Sequence, residues 1–384
     1  MIRILKIYIS NYLKKIKISN VFKSKHNKIA LLSYITIPFY KNSFSHTNYF
    51  EAHSWAKALD SLGYQVDVIN YDFPSKKLDT TQYDLICGFG DVFQKHFETV
   101  NSRAKTIHYG TGMHVSHQNN ASLSRVRDVH TKKGVWLGGS ARFVEKTWTH
   151  QTALVDGIIA LGSDVCAESY RKYYDGKVLS SPLLFYQVQD VDKIMKERGR
   201  NSNTHFLWFG GAGLVHKGLD LLLDYFYENP SLTLHVCGPI ESEPLFVQAY
   251  KKELLETKNI IMHGFVDIRG QVFEEIIKRC AFVVFPSCSE GGAASVLNAV
   301  GNGGLIPIIT KQTSMCTGCE ICIKSLDMDG ISRAIEEALA LSDDEITNLQ
   351  HRNYNYVKSN NSQENYYSLL RDNIKEILNN ENTV

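Results

Sequence analysis

The stretch Val283-Val284-Phe285-Pro286-Ser287-Cys288-Ser289-Glu290-Gly291-Gly292-Ala293-Ala294-Ser295-Val296-Leu297-Asn298-Ala299 reads as a buried strand, a tight polar turn carrying one carboxylate, and a helix opened by small residues. A helix that starts on Gly, Ala and Ser leaves its first backbone N–H groups open to close approach, which suits a phosphate or diphosphate. Glu290, beside such an anion site, suits hydroxyl groups instead. Diphosphate and hydroxyls together describe a nucleotide-sugar. The same strand, turn and helix also occur in α/β proteins that bind nothing at this place.

A second segment adds weight: Phe206-Leu207-Trp208-Phe209-Gly210-Gly211-Ala212-Gly213-Leu214-Val215-His216-Lys217-Gly218-Leu219-Asp220. An apolar strand runs into a glycine-rich loop, and Lys217 stands just before an amphipathic run that begins at Leu219. A lysine there supplies a compact positive charge to a phosphate; the same lysine also fits a plain surface position at a helix start.

In this order the two segments resemble the C-terminal domain of GT-B glycosyltransferases, and specifically glycosyltransferase family 4. That family has a Gly-Arg, four residues, Lys-Gly motif on the donor diphosphate and a Glu, seven residues, Glu motif on the sugar and ribose. Gly211, Lys217 and Gly218 match the first motif, with Ala212 where the arginine is expected; Glu290 matches the first glutamate, with Asn298 where the second is expected. An amide can still hydrogen-bond ribose hydroxyls. Loss of the arginine leaves Lys217 and the helix start to carry the anion, with help from His216 if it is protonated.

The resemblance implies an α/β protein of GT-B architecture, two Rossmann-like domains whose parallel sheets face each other across a cleft. It implies residues 29–185 as an acceptor-binding domain, 186–345 as the nucleotide-sugar domain, and 346–384 as a helical segment returning to the first. The implied reaction is transfer of a sugar from a nucleoside diphosphate sugar to a hydroxyl of a glycan or lipid-linked acceptor in cell-surface polysaccharide synthesis. Retention follows from a front-face route in which the leaving diphosphate helps deprotonate the acceptor, so no protein base is needed. Lys217 and the amides near Gly292 would stabilise the leaving charge. The donor is a substrate, and no further cofactor is expected; without an Asp-x-Asp site, neither is a metal. The expected donor-binding set is Gly211, Gly213, His216, Lys217, Phe265, Val266, Glu290, Gly291, Gly292, Ala293 and Asn298, with Glu290, His114 and Lys217 catalytic. Lys217→Ala and Glu290→Ala are expected to abolish transfer and leave the fold intact. The departures at Ala212 and Asn298 equally fit a catalytically degenerate nucleotide-sugar-binding or scaffold protein of the same fold.

In the N-terminal half, Lys28–Tyr34, Tyr64–Ile69, Tyr83–Gly88, Lys105–Tyr109 and Asp156–Leu161 read as strands and Tyr49–Leu62 as a helix ending at Gly63. The first three elements make a βαβ unit and so a right-handed crossover onto a parallel sheet. Ligands of such sheets sit in the loops after the strands, where His46, Asn48, Thr111 and His114 lie. His46, Asn48 and Thr111 are the acceptor-side candidates. The resemblance gives a histidine in the loop after Tyr109 a place facing the donor sugar; His114 fits it, with His108 and His117 as competitors. The basic run Gln118 to Arg127 suits an anionic acceptor or a solvated helix face.

At 384 residues, 43% hydrophobic and 21% charged, the chain is a globular one with room for two domains, and no uninterrupted apolar run is long enough to span a bilayer. The net charge of +2 hides an asymmetry: residues 1–28 hold eight lysines and arginines and no acid, leaving 34 basic against 40 acidic residues elsewhere. Ile2, Leu5, Ile9, Tyr12, Leu13 and Ile16 recur at helical spacing among those lysines. A basic amphipathic helix binds anionic membrane surfaces, which would place the protein in the cytoplasm, peripheral on the inner face of the plasma membrane. A tail packed on its own domain or a disordered arm fits as well. Nothing points to nucleic acid. Five of the eight cysteines lie in apolar runs, as buried thiols do in reducing compartments. Cys316, Cys319 and Cys322 share two Cys-x-x-Cys spacings, but no second pair completes a four-ligand site, so free thiols are expected.

Overall fold

The computed structural model describes residues 16–44, 46–146 and 150–379. They divide into two compact units, each built on one six-stranded parallel sheet. The α/β expectation therefore holds. Strands such as Phe282–Phe285 are buried along their whole length, the pattern of a parallel sheet covered on both faces.

Unit one comprises residues up to Thr111, Lys146–Pro182 and the chain from Gln363 onward. Its strands are β1 (Lys28–Tyr34), β2 (Tyr64–Asn70), β3 (Leu85–Gly88), β4 (Lys105–Gly110), β5 (Gly157–Leu161) and β6 (Val178–Ser181), in the order β2-β1-β3-β4-β5-β6. Trp55, Phe93, Tyr109 and Tyr366 are its largest fully buried side chains. The tyrosines Tyr34 and Tyr109 donate to the buried carboxylate of Glu51 at 2.7 and 3.0 Å. Much of the expected basic N-terminal helix, residues 1–15, lies outside the described residues. The segment just before β1 packs on this unit: Ile18 bridges Val68 antiparallel, and Lys17 pairs with Asp67 at 2.8 Å. The helix Gln363–Leu378 belongs to unit one, where the Tyr366 and Tyr109 hydroxyls meet at 3.0 Å and Asn373 bonds the Ser180 carbonyl at 2.9 Å. The preceding helix Asp343–Asn360, started by a Ser342–Glu345 capping box, belongs to unit two. The return expected over 346–384 is thus made by its second helix.

Unit two comprises Gly112–Glu145 and Leu183–Ser362. Its strands are β7 (His205–Phe209), β8 (Thr233–Cys237), β9 (Ile260–Gly264), β10 (Phe282–Phe285), β11 (Ile306–Thr310) and β12 (Ile321–Ile323), in the order β12-β11-β10-β7-β8-β9. Residues 112–145, inside the first domain by the sequence reading, cluster here instead. The helix Val115–Lys133 explains why. Buried Arg125 pairs with buried Asp220 at 2.5 Å, Lys132 with Asp224 at 2.8 Å, and Lys133 with Glu253 at 2.8 Å. Within the run Gln118 to Arg127, Arg125 therefore spends its charge inside the protein, on Asp220 of the helix Leu219–Glu228, whereas Asn120, Leu123 and Arg127 stay exposed on the opposite face. A buried arginine needs such a partner, because leaving it unpaired would cost several kcal/mol.

The cysteine-rich segment ends in β12, where Cys322 pairs with Ile309 of β11. Its three thiols are free, with Cys316 and Cys322 exposed. Among the described residues no group of His, Cys, Asp or Glu could hold a metal, and no helix is long and apolar enough to cross a membrane.

Candidate functional site

In the second sheet the chain runs outward from the middle in both directions, β7-β8-β9 on one side and β10-β11-β12 on the other. Adjacent β7 and β10 mark the point where the order reverses. Open α/β sheets bind ligands beyond the carboxyl ends of the strands at this point. Two loops leave there: Gly210–Gly218 after β7 and Pro286–Ala293 after β10.

These loops are laced together. The Cys288 amide donates to the His216 carbonyl at 3.0 Å, and the Ser287 hydroxyl donates to the same carbonyl at 3.2 Å. Gly218 has φ +67°, and a Cβ there would stand 2.2 Å from the Pro286 carbonyl oxygen. Only glycine lets the loops approach so closely.

At the centre, Lys217 Nζ donates to Glu290 Oε1 at 2.6 Å, and the Ser287 hydroxyl reaches the same oxygen at 3.1 Å. Lys217 and Glu290 are each 8% exposed. Arg142 Nη1 stands 3.5 Å from Glu290 Oε2. Burial opposes the charge on Glu290, but Lys217, Arg142 and His216 outweigh it and hold the carboxyl down at about 2. Burial pulls the Lys217 ammonium down, and Glu290 opposes that shift. Two cations and one anion leave the cluster one net positive charge.

His216 is fully buried, and burial, against the pull of Glu290, lowers its pKa to about 4. Its Nε2–H donates to the Ser289 carbonyl at 2.6 Å, and Nδ1 accepts from the Ser122 hydroxyl at 2.7 Å. The ring is therefore neutral at pH 7 and adds no charge for an anion; it ties the loop to the helix Val115–Lys133.

The helix Ala294–Gly303 starts on Ala293 with no side-chain cap. Its first-turn amides keep the positive end of the helix dipole unscreened. The Gly213 and Leu214 amides, by contrast, are taken by the Glu243 carboxylate at 2.5 and 3.3 Å.

Residues 190–358 match the family described as Glycosyl transferases group 1. The fold is GT-B. HepE from Anabaena, solved with UDP and glucose, superposes with a TM-score of 0.58 at 12% identity, over 91% of this chain and 100% of HepE. A glycosyltransferase from Rickettsia africae gives 0.56 at 12% identity, over 93% of this chain and 100% of its own. TarM gives 0.53 at 12% identity over 79% of this chain, which spans 56% of TarM. No curated protein sequence matches the chain.

Of the other donor-side residues, Gly211 borders open space, Gly291 and Ala293 are buried, and a Cβ on Gly292 would collide with Leu183. Beyond β9, Phe265 is 67% exposed and Val266 is buried. Asn298 is turned to the protein: its Oδ1 accepts from the Tyr186 amide at 3.1 Å and its Nδ2 donates to the Ala294 carbonyl at 2.8 Å. Buried His114 caps the helix Val115–Lys133, with Nδ1 accepting from the Ser116 amide at 3.3 Å; burial and then His117 lower its pKa. His117 bonds the Gln312 side chain at 3.1 Å, and the Gln312 carbonyl accepts the Glu290 amide at 2.9 Å. In unit one, exposed His46 accepts from the Asn48 amide at 3.1 Å, Asn48 begins a helix after β1, and Thr111 is exposed after β4. Arg142 was legible in no motif, since it lies 148 positions from Glu290.

Proposed function

We propose that this protein is a glycosyltransferase whose second unit binds a nucleoside diphosphate sugar and whose reaction passes the sugar to a hydroxyl of a glycan or lipid-linked acceptor. The observation that carries this reading is the buried Lys217–Glu290 pair at 2.6 Å, at the switch point between β7 and β10 and flanked by a third charged group, Arg142. An ammonium positioned for phosphate and a carboxylate positioned for hydroxyls are the two chemistries a nucleotide-sugar needs. The uncapped helix start at Ala294 supports the same anion. The match to glycosyl transferases group 1 over residues 190–358, and a GT-B neighbour holding UDP and glucose, support it further.

Within that reading, Lys217 and the amides after Gly292 stabilise the diphosphate as it leaves, which lowers the barrier only because this charge grows in the transition state. Retention, a metal-independent route, and cytoplasmic work on cell-surface polysaccharide at the inner membrane face belong to the same proposal.

A second reading has a specific observation in its favour. With Asn298 bonded to backbone and Ala212 in place of an arginine, the chain also fits a nucleotide-sugar-binding scaffold. A thermal-shift screen against UDP, GDP, dTDP, CMP and their sugar conjugates tests both. A ligand at 100 times its dissociation constant adds about 2.7 kcal/mol of stability. Stabilisation by one nucleotide family, lost in Lys217→Ala, supports the donor site; no response from any of them overturns it. Binding without turnover, in the presence of glycan and lipid-linked acceptors, favours the scaffold.

A further inference from the structure

We infer that Arg142, delivered by the segment that follows the helix Val115–Lys133, is the second cation of the diphosphate site. This rests on the donor reading above and adds a residue to it.

The first support is where the remaining donors are spent. In the glycine-rich loop, the Gly213 and Leu214 amides already hold the Glu243 carboxylate. Lys217 is bonded to Glu290, and His216 is neutral with both ring nitrogens engaged. Arg142 is different. Its side chain is 45% exposed and its contact with Glu290 is 3.5 Å, the outer limit of a hydrogen bond. Little is lost when that guanidinium turns to a phosphate, which it can grip through two parallel N–H groups.

The second support is that the protein holds Arg142 in place at a cost. Its backbone has φ +49°, in the left-handed region that side chains other than Gly, Asn and Asp seldom adopt. The conformation is pinned from both sides. Gln118 Nε2 donates to the Arg142 carbonyl at 2.9 Å, and Asn119 exchanges two hydrogen bonds with the Val144 backbone at 2.8 and 2.9 Å. Space is reserved as well: a Cβ on Gly213 would come within 2.2 Å of Arg142 Cγ. The ion pairs that bolt Val115–Lys133 to unit two fix the platform, and the His216 amide bonds the Ser140 carbonyl at 3.0 Å two residues before Arg142. Ala212 offers the site no charge, and Arg142 supplies one from elsewhere in the same unit.

The test is calorimetric titration of the full chain with inorganic pyrophosphate, UDP and uridine, on wild type, Arg142→Gln, Arg142→Ala and Arg142→Lys. Arg142→Gln keeps the stem against Gly213 and removes the charge, so it serves if the alanine variant does not fold. Loss of charge is expected to weaken pyrophosphate and UDP by about 10- to 100-fold, to leave uridine unchanged, and to be partly rescued by Arg142→Lys. Equal pyrophosphate and UDP affinities in wild type and Arg142→Gln overturn the assignment, as does wild type that binds neither. Wild type that binds pyrophosphate through Arg142 but shows no affinity for UDP or the other nucleotides upholds Arg142 and sinks the donor reading alone.

Discussion

Glu290 and Lys217 show how a functional pair can also be structural. The sequence reading expects single alanine variants to lose transfer with the fold intact. Burial changes that expectation, because Glu290→Ala leaves a buried ammonium without its carboxylate and Lys217→Ala leaves a buried carboxylate with only the longer Arg142 contact. Lys217→Ala or Glu290→Ala should each cost roughly 3–5 kcal/mol of stability. The double variant Lys217→Met, Glu290→Gln should regain most of it while staying inactive; chemical denaturation of the three variants checks this, and a double variant no more stable than the singles would contradict it. The neighbouring His216 adds a pH dependence. Its folded pKa of about 4 lies below its ordinary 6.5, so the unfolded chain takes up a proton that the folded chain refuses. The stability from the neutral ring is complete above pH 6.5 and is lost as pH falls toward 4, on the order of 3 kcal/mol. Glu290 acts lower: its contribution is complete above 4.5 and is lost as pH falls toward 2. Urea midpoints measured from pH 7 to pH 4 should therefore decline, and less steeply in His216→Gln.

At the level of elements, the long buried strands and the amphipathic helix after Lys217 were legible because their apolar patterns are strong. Of the four edge strands among the described residues, β6 and β12 were not. Val178–Ser181 has two half-exposed residues, and Ile321–Ile323 exposes Cys322 between two buried isoleucines. Each becomes a strand only through its neighbour's backbone, which no local pattern announces. The same limit explains Val115–Lys133: nothing local marks Arg125, Lys132 and Lys133 as the side chains that turn to Asp220, Asp224 and Glu253 while the rest of its polar surface stays exposed. The motif position of Asn298 points to a ligand group, and in the structure its side chain also serves as a latch on backbone. With Asn302, which accepts from the Val188 and Gln189 amides at 2.8 and 3.1 Å, it straps residues 186–189 to the helix Ala294–Gly303. Asn302→Ala should cost about 2 kcal/mol by leaving the Tyr186 carbonyl and two part-buried amides without their partner, a loss visible in a melting curve; an unchanged curve would refute the latch. A cross-strand histidine ladder also went unread. His205, His235 and His263 bond ring to ring at 3.0 Å across β7, β8 and β9, and burial, with the two flanking rings and Arg279, pushes His235 to about 3.

At the scale of the whole molecule, the order of the chain and the make-up of the units disagree. Unit one is assembled from three stretches, the last of which begins at Gln363, after all of unit two has been made. That final helix is not an accessory. Tyr366, Leu370, Ile374 and Ile377 are buried, and a Cβ on Gly157 of β5 would meet the Ile377 side chain at 2.7 Å. Burying four such side chains contributes on the order of 8 kcal/mol, comparable to the net stability of an entire domain. A chain ending at Ser362 should therefore fail to fold unit one, exposing the Tyr109 and Glu51 hydrogen-bond network to water. Unit two, complete in sequence over 112–145 and 183–362, loses none of its own residues, so any nucleotide binding that resides there should persist. Hydrogen exchange followed by mass spectrometry separates the two. Rapid exchange across β1 to β6 with protection retained across β7 to β12 is the expected result, and continued protection of β4 and β5 in the truncated chain would show that the final helix does not hold unit one together.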